Sequence, residues 1–463
     1  MEKKVQSTSV DLGGARQVGK TYLVREFARS HFKHFIEINF EEDPSLVNLF
    51  ESKRPDIICE LLEARFSLPV KDGETLIFLD ELQAAKPYVF ESLRYFYEKR
   101  PALHVVAAGS LLEFMLDAAT QNPDKAFPMP VGRIEYMYLA PLYFEEFLAA
   151  VGKTGPLDFI GRYSAGDDVP EPLHKELTLW FRRYLVIGGM PAAVKAYVES
   201  GLDEAERELD AILVTYHDDF PKYGKRANAE LLQKVFTSVP RLLGRKLIYS
   251  HIDRGVKSNE LSKAFARLAL ARIVAKVCHV PANGIPIGAM ADSDTFKPLF
   301  LDVGLACHAV GLRLDDFMDD RDFMLANKGE ICEQFVGQHL LYSGKDYEAP
   351  AAYCWIRESK NSSAEVDYIM QIGTDIIPVE VKSGTTGSLK SLNLFLNEKK
   401  RHFAVRFNID RPSLLVDAEV TDSLRRRCRY SQLSLPMYMI CQLKRIVCET
   451  IGKTSAGAAS GTA

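Results

Sequence analysis

The residues best placed to do chemistry begin at Gly14-Ala15-Arg16-Gln17-Val18-Gly19-Lys20-Thr21, which matches G-x-x-x-x-G-K-[ST] at every fixed position. The glycines permit a tight loop whose backbone N–H groups point inward at phosphate oxygens. Lys20 is spaced to reach the β and γ phosphates of a nucleoside triphosphate, and Thr21 offers a hydroxyl to magnesium. A helix starting at the end of the loop adds its positive N-terminal end. A second string, Gly152-Lys153-Thr154, lacks both the upstream glycine and a preceding strand, and is set aside.

Further along, Leu76-Ile77-Phe78-Leu79-Asp80-Glu81 is an apolar run ending in two carboxylates. A buried strand presents Asp80 at its carboxyl end, where it can hold magnesium through water. Glu81, one residue on, can polarise the water that attacks the γ phosphate. A solvated acidic turn is the other reading of this pair, and the phosphate loop upstream selects the first. The apolar run His104–Ala108 leads into Gly109-Ser110, which sets a hydroxyl at another strand end, where it can orient the γ phosphate or the water. A Gly-Ser pair is also an ordinary turn.

Near the carboxyl end, Glu365-Val366-Asp367-Tyr368-Ile369-Met370 alternates as a half-buried strand does. A turn around Gly373 and the run Ile376–Lys382 follow, which predicts a hairpin. Period two puts Glu380 and Lys382 on one face, and pairing across the turn can bring Asp367 beside them. An acid followed by E-x-K suits a metal-dependent phosphodiesterase: Asp367 and Glu380 hold magnesium, and Lys382 orients water and steadies developing charge. Charges at alternate positions of an exposed strand are the bland alternative.

The elements around these residues follow two rhythms. Strands are expected at Ser9–Leu12, His34–Phe40, Thr75–Asp80 and His104–Ala108, with helices such as Thr21–Phe32 and Tyr88–Lys99 between them. That alternation predicts an α/β unit with a parallel sheet covered on both faces. After about residue 140 the pattern turns helical, broken near Gly161–Pro172 and at Gly188-Gly189-Met190-Pro191. A helix from Asn259 to Ala271, a strand at Ile273–Val280, the turn Pro281-Ala282-Asn283-Gly284 and a second run, Ile285–Ile287, have the order of a small winged helix. Another α/β stretch begins at residue 323. The tail GKTSAGAASGTA is small and polar, which predicts disorder.

Composition bounds the function classes. The chain has 463 residues, 47% of them hydrophobic, which at a soft prior of about 150 residues per domain gives roughly three domains. Its 62 acids against 58 bases give a net charge of −4, so no global cationic field marks a nucleic-acid coat protein. Locally, residues 380–450 hold 13 Lys/Arg and 7 Asp/Glu, a balance of +6 that suits a polyanion such as DNA and equally a solvated basic face. No apolar run reaches about 18 residues, which predicts no membrane span. The start MEKKVQSTSVDL has a basic pair without an apolar stretch behind it, so no secretory signal is expected and a cytoplasmic place is. Eight dispersed cysteines without a C-x-x-C pair read as buried thiols rather than as zinc or disulfide frameworks.

Taken together, GARQVGKT, LIFLDELQ, VVAAGS and GRIEYMYLAPLYFEEFL resemble the AAA-type branch (AAA+ superfamily) of bacterial and archaeal P-loop ATPases. Within it they resemble the group that fuses its ATPase to a carboxy-terminal domain of unknown function. YLVIGGMP, FKPLFLDVGL, EVDYIM and IPVEVKSG fit the same group in the same order, so the resemblance covers nearly the whole chain. It implies ATP and Mg²⁺ as cofactors, and Arg133 as a candidate for contacting the γ phosphate from a neighbouring subunit, hence a homo-oligomer. The Asp367, Glu380 and Lys382 set resembles the PD-(D/E)XK nuclease superfamily, whose fold also takes an acid from a preceding helix. Glu333, flanking the apolar stripe Cys332, Phe335, Val336, His339 and Leu340, fills that role as a further metal ligand, with Glu330 one turn earlier.

The expected organisation is a P-loop ATPase core over 1–150, a helical lid or linker over 151–240, a winged-helix-like segment over 241–310, a nuclease-like domain over 323–450 and a disordered tail over 451–463. Two readings stand for the carboxy-terminal part. It binds and cleaves DNA, or it is a non-cleaving DNA- or protein-binding module switched by ATP.

Overall fold

The computed structural model describes residues 9–109, 133–223, 226–314, 328–359, 362–384, 389–422 and 425–460. It divides into two compact units, one of residues 1–140 with 270–273 and 344–350, the other of 141–269, 274–343 and 351–463.

The first unit carries a parallel sheet of five strands, β1 (Ser9–Gly13), β2 (His34–Asn39), β3 (Thr75–Asp80), β4 (His104–Ala108) and β5 (Ile134–Tyr138), in the order β2-β3-β4-β1-β5. Helices α1 (Lys20–His31), α2 (Pro55–Phe66) and α3 (Pro87–Lys99) make the crossovers. Every residue of β3 is buried, as a central strand covered on both faces requires. Its side chains alternate: Ile77 and Leu79 pack with Ile58, Leu62, Val89, Phe90 and Phe96, while Leu76 and Phe78 pack with Leu12, Val24 and Ala28. The four expected strands lie within a residue of their predicted bounds. Strand β5 was not anticipated, because its partly exposed, polar-spaced run at the sheet edge lacks a buried strand's apolar continuity.

The second unit opens with helices α4 (Phe144–Ala150), α5 (Thr154–Arg162), α6 (Glu171–Ile187), α7 (Pro191–Ser200), α8 (Leu202–Asp219), α9 (Arg226–Ser238) and α10 (Ser258–Leu270). Strands β6 (Val274–His279) and β7 (Asp292–Phe300) follow, then helices α11 (Val303–Ala309) and α12 (Lys328–Leu341). The rest is β8 (Ala352–Ser359), β9 (Ser362–Ile372), β10 (Asp375–Val381), helix α13 (Lys390–Lys399), β11 (Phe403–Asn408), β12 (Ser413–Thr421), β13 (Arg427–Pro436) and helix α14 (Leu443–Ser460). All eight strands form one sheet in the order β12-β13-β11-β10-β9-β8-β6-β7.

Two expectations are corrected here. The hairpin after α10 exists, but its second strand is Asp292–Phe300 rather than Ile285–Ile287, which ends in a 3₁₀ turn. Pro286 lies within that stretch and Pro281 stands just before it; neither can donate to a ladder, so pairing resumes only beyond them. The hairpin is also not free-standing, since β6 pairs in parallel with β8. Second, α14 continues to Ser460 where disorder was expected from residue 451, its alanines being strong helix formers that extend an already packed helix.

Candidate active site

In the first unit, the loop between β1 and α1 turns on backbone conformations that side chains resist. Gly14 has φ +149°, and a Cβ there would stand 2.6 Å from the carbonyl oxygen of Leu139. Gln17 and Gly19 are left-handed, with φ of 64° and 93°. Alternation of such residues with ordinary ones turns successive N–H groups toward one point, a concavity for an anion. The Lys20 ammonium donates to the carbonyls of Gly14 and Ala15 at 2.9 and 2.7 Å, which folds its stem back over the loop. Burial lowers it to about 8, against Glu81 and Asp80, which raise it.

The sheet order brings the second motif to this loop. The hydroxyl of Thr21 donates to Asp80 Oδ2 at 2.9 Å. Burial raises the Asp80 carboxyl, while that hydroxyl and the Glu81 N–H, which donates to Oδ1 at 3.0 Å, oppose the rise. A hydroxyl and a carboxylate are hard oxygen donors of the kind magnesium takes, so these residues fit the ion. Glu81 has φ 49°, a strained conformation for a non-glycine residue, and it turns the chain out of β3. Gln83, which sequence reasoning missed, donates through its side-chain amide to Glu81, and its Oε1 lies where a Cβ on Gly109 would meet it at 2.5 Å. Ser110 lies outside the described residues. Arg133 pairs through Nε with Glu98 at 2.7 Å.

In the second unit, β9, β10 and α12 bring the predicted residues together. The N–H of Val381 donates to Asp367 Oδ2 at 2.8 Å, and Lys382 donates to Glu380 Oε1 at 2.5 Å. Glu380 is 4% exposed, and its Oε2 is buried without a hydrogen-bond partner among the described residues. At the centre stands a residue the sequence reading did not include. Lys297, on β7, is 1% exposed, and its ammonium lies 2.7 Å from Glu365, 3.1 Å from Glu333 and 3.6 Å from Asp367. It also faces the ring of Tyr368, whose hydroxyl donates to the Glu333 carbonyl at 2.8 Å. Burial and the Asp367 charge push the carboxyls of Glu333 and Glu380 well above the usual carboxylate range. Burial alone would lower the Lys297 ammonium, but Glu333, Asp367 and Glu365 hold it above its ordinary value. Among the described residues, no group of three or more His, Cys, Asp or Glu side chains is arranged to hold a metal ion. The sign of Lys297 in the sequence was a lone cation inside the apolar run Phe296–Phe300.

Residues 6–148 match the AAA domain family. The amino-terminal unit is an AAA-type P-loop ATPase domain. Beyond that domain, residues 178–316 match a domain of unknown function, DUF8612, and residues 328–421 match another, DUF4143. Strands β6 and β7 fall in the first of these and β8 to β12 in the second, although all share one sheet. Among solved structures, the chain is similar to a Walker-type ATPase of Pyrococcus abyssi at 14% identity, covering 65% of this chain and 90% of that chain, with a TM-score of 0.41. It is also similar to the RuvB Holliday junction branch migration motor of Thermotoga maritima at 16% identity, covering 59% of this chain and 82% of that chain, with a TM-score of 0.22. No curated protein matches the chain. Among the described residues, no helix is long and apolar enough to cross a membrane.

Proposed function

We propose that this chain binds ATP with magnesium in the loop Gly14–Thr21 and hydrolyses it, and that its carboxy-terminal unit binds DNA under the control of that hydrolysis. The observation that carries the ATPase reading is the 2.9 Å hydrogen bond from Thr21 to Asp80, which joins two motifs far apart in sequence at one phosphate-binding loop. Magnesium, when bound, supplies Lewis-acid charge to the phosphate oxygens. Thr21 and Asp80 hold it, Asp80 through water. Lys20 leaves its two loop carbonyls to meet the β and γ phosphates. Glu81 polarises the attacking water, held in orientation by the Gln83 amide, and Ser110 orients the γ phosphate. Arg133 exchanges Glu98 for the γ phosphate of a neighbouring subunit in a homo-oligomer.

For the carboxy-terminal unit, the basic balance of residues 380–450 and the arginines of β13 support a polyanionic partner. The helix α12, the β9–β10 hairpin and the parallel strand β11 support a nuclease-like fold. The position of Lys297 among the carboxylates favours the non-cleaving version of this reading. Incubating the protein with Mg·ATP and linear, nicked, branched and single-stranded DNAs, scoring phosphate release and strand cleavage together, tests both halves. Phosphate release stimulated by DNA without cut strands is the expected outcome. An absence of phosphate release under every condition would overturn the ATPase reading.

A further inference from the structure

We infer that Lys297 takes the place of a divalent cation among Glu333, Glu365 and Asp367, so that the carboxy-terminal centre of this chain is closed to magnesium by its own lysine. The inference rests on the nuclease-like reading of that unit and is independent of the ATPase reading.

The geometry points one way. A nuclease-like centre of this pattern needs its acids to converge on an ion, and here they converge on a nitrogen. The Lys297 ammonium lies 2.7, 3.1 and 3.6 Å from three carboxylates supplied by β9 and α12. Its side chain is 2% exposed, so it is part of the interior and not a surface arm that swings aside. The strand register fixes its origin, since Lys297 stands opposite Val277 in the β6–β7 ladder. Magnesium binds carboxylate oxygens at about 2.0–2.1 Å and keeps several waters. An ion at that distance from these oxygens would stand beside an ammonium of the same sign. The ammonium instead donates hydrogen bonds where the ion would accept lone pairs, and it neutralises one charge rather than two. Lys382 treats Glu380 in the same way, with a 2.5 Å contact.

Manganese serves as the probe, because it accepts the same oxygen ligands as magnesium and its free form is counted by electron paramagnetic resonance. The protein is nucleotide-free, full-length and carries Asp80→Asn, which removes the amino-terminal magnesium ligand. With Lys297 present, we expect no saturable manganese site, and adding Asp367→Asn changes nothing. Replacing Lys297 by Met, which vacates the ammonium position while keeping most of the stem, or by Ala, which opens it further, creates one saturable site that Asp367→Asn removes. A Lys297 variant that folds only when manganese is present supports the inference equally. A saturable site in the Lys297 protein that is lost with Asp367→Asn overturns the inference, as does a folded Lys297→Met or Lys297→Ala protein without manganese binding. Assaying DNA cleavage in manganese on the same samples separates the two levels. In the protein that keeps Lys297, manganese bound at Asp367 without cleavage overturns the lysine claim and leaves the non-cleaving reading standing, whereas cleavage that depends on Asp367 overturns both.

Discussion

Asp302 to Asn is the substitution that most sharply tests how the Gly188-Gly189 break is held. Asp302 precedes α11, and its Oδ1 accepts from the Leu305 N–H at 3.0 Å while Oδ2 accepts from the Gly189 N–H at 2.8 Å. The side chain is fully buried, and burial raises its carboxyl from 3.8 to about 6, against the N–H groups of Gly189, Leu305, Gly304 and Val303. The folded chain therefore binds this proton more tightly than the unfolded chain does. Its contribution to stability is complete below the unfolded value and is lost as pH rises through the folded one, about 3 kcal/mol in all at roughly 1.4 kcal/mol per pH unit. Between about pH 5 and pH 7 the loss is on the order of 1 kcal/mol. Asparagine does not titrate and offers one acceptor where the carboxylate offers two, so it leaves a buried N–H unpaired at a cost of about 1–3 kcal/mol. Urea midpoints of wild type and Asp302→Asn at the two pH values give the comparison, with all other titrating groups common to both. The stability gap narrows by about 1 kcal/mol from pH 5 to pH 7. A gap that widens with pH would refute the reasoning, because the N–H donors would then outweigh burial.

Three further outcomes follow from named contacts. Asp80→Asn keeps the Thr21 hydrogen bond but removes the charge proposed to hold magnesium, so the magnesium needed for half-maximal hydrolysis rises roughly tenfold or more, checked by a phosphate-release titration. Gly189→Ala places a Cβ 2.0 Å from the Leu142 carbonyl, a backbone atom that the Leu142–Gly189 hydrogen bond prevents from yielding, and lowers stability by about 2–3 kcal/mol in urea melts. DNA affinity measured from about 50 to 200 mM salt falls on a log–log line of slope about −0.9 per phosphate neutralised, and a flat line contradicts the polyanion assignment.

How far the sequence reached depends on how local each feature is. The phosphate loop was legible because its motif encodes a backbone path, with glycines at fixed offsets and a strand before them. Asp80 was legible because an apolar strand must end where its first polar residue stands. The β9–β10 hairpin followed from alternation around a turn, and the register between Tyr368 and Val379 brings Asp367 and Glu380 near each other as expected. Lys297 was invisible for the opposite reason. Its partners come from α12 and β9, and it reaches them only because β6 and β7 join the sheet of the later strands. Such non-local pairing leaves no trace in periodicity, so the segment 241–310 read as a separate element. The Gly188-Gly189 break was visible as punctuation, but its tight contact with Asp302 and Leu142 was not.

The central claim, that residues Gly14–Thr21 with Asp80 and Glu81 form an ATP-hydrolysing site, is tested most directly by measuring ATP binding and phosphate release on wild type, Lys20→Ala and Glu81→Gln side by side. Wild type binds Mg·ATP and turns it over. Lys20→Ala loses affinity, because the ammonium that meets the β and γ phosphates is gone. Glu81→Gln retains binding and loses turnover by about 10²–10⁴-fold, the range of a positioned general base. Equal phosphate release from wild type and Glu81→Gln, or undiminished ATP binding by Lys20→Ala, would contradict the account.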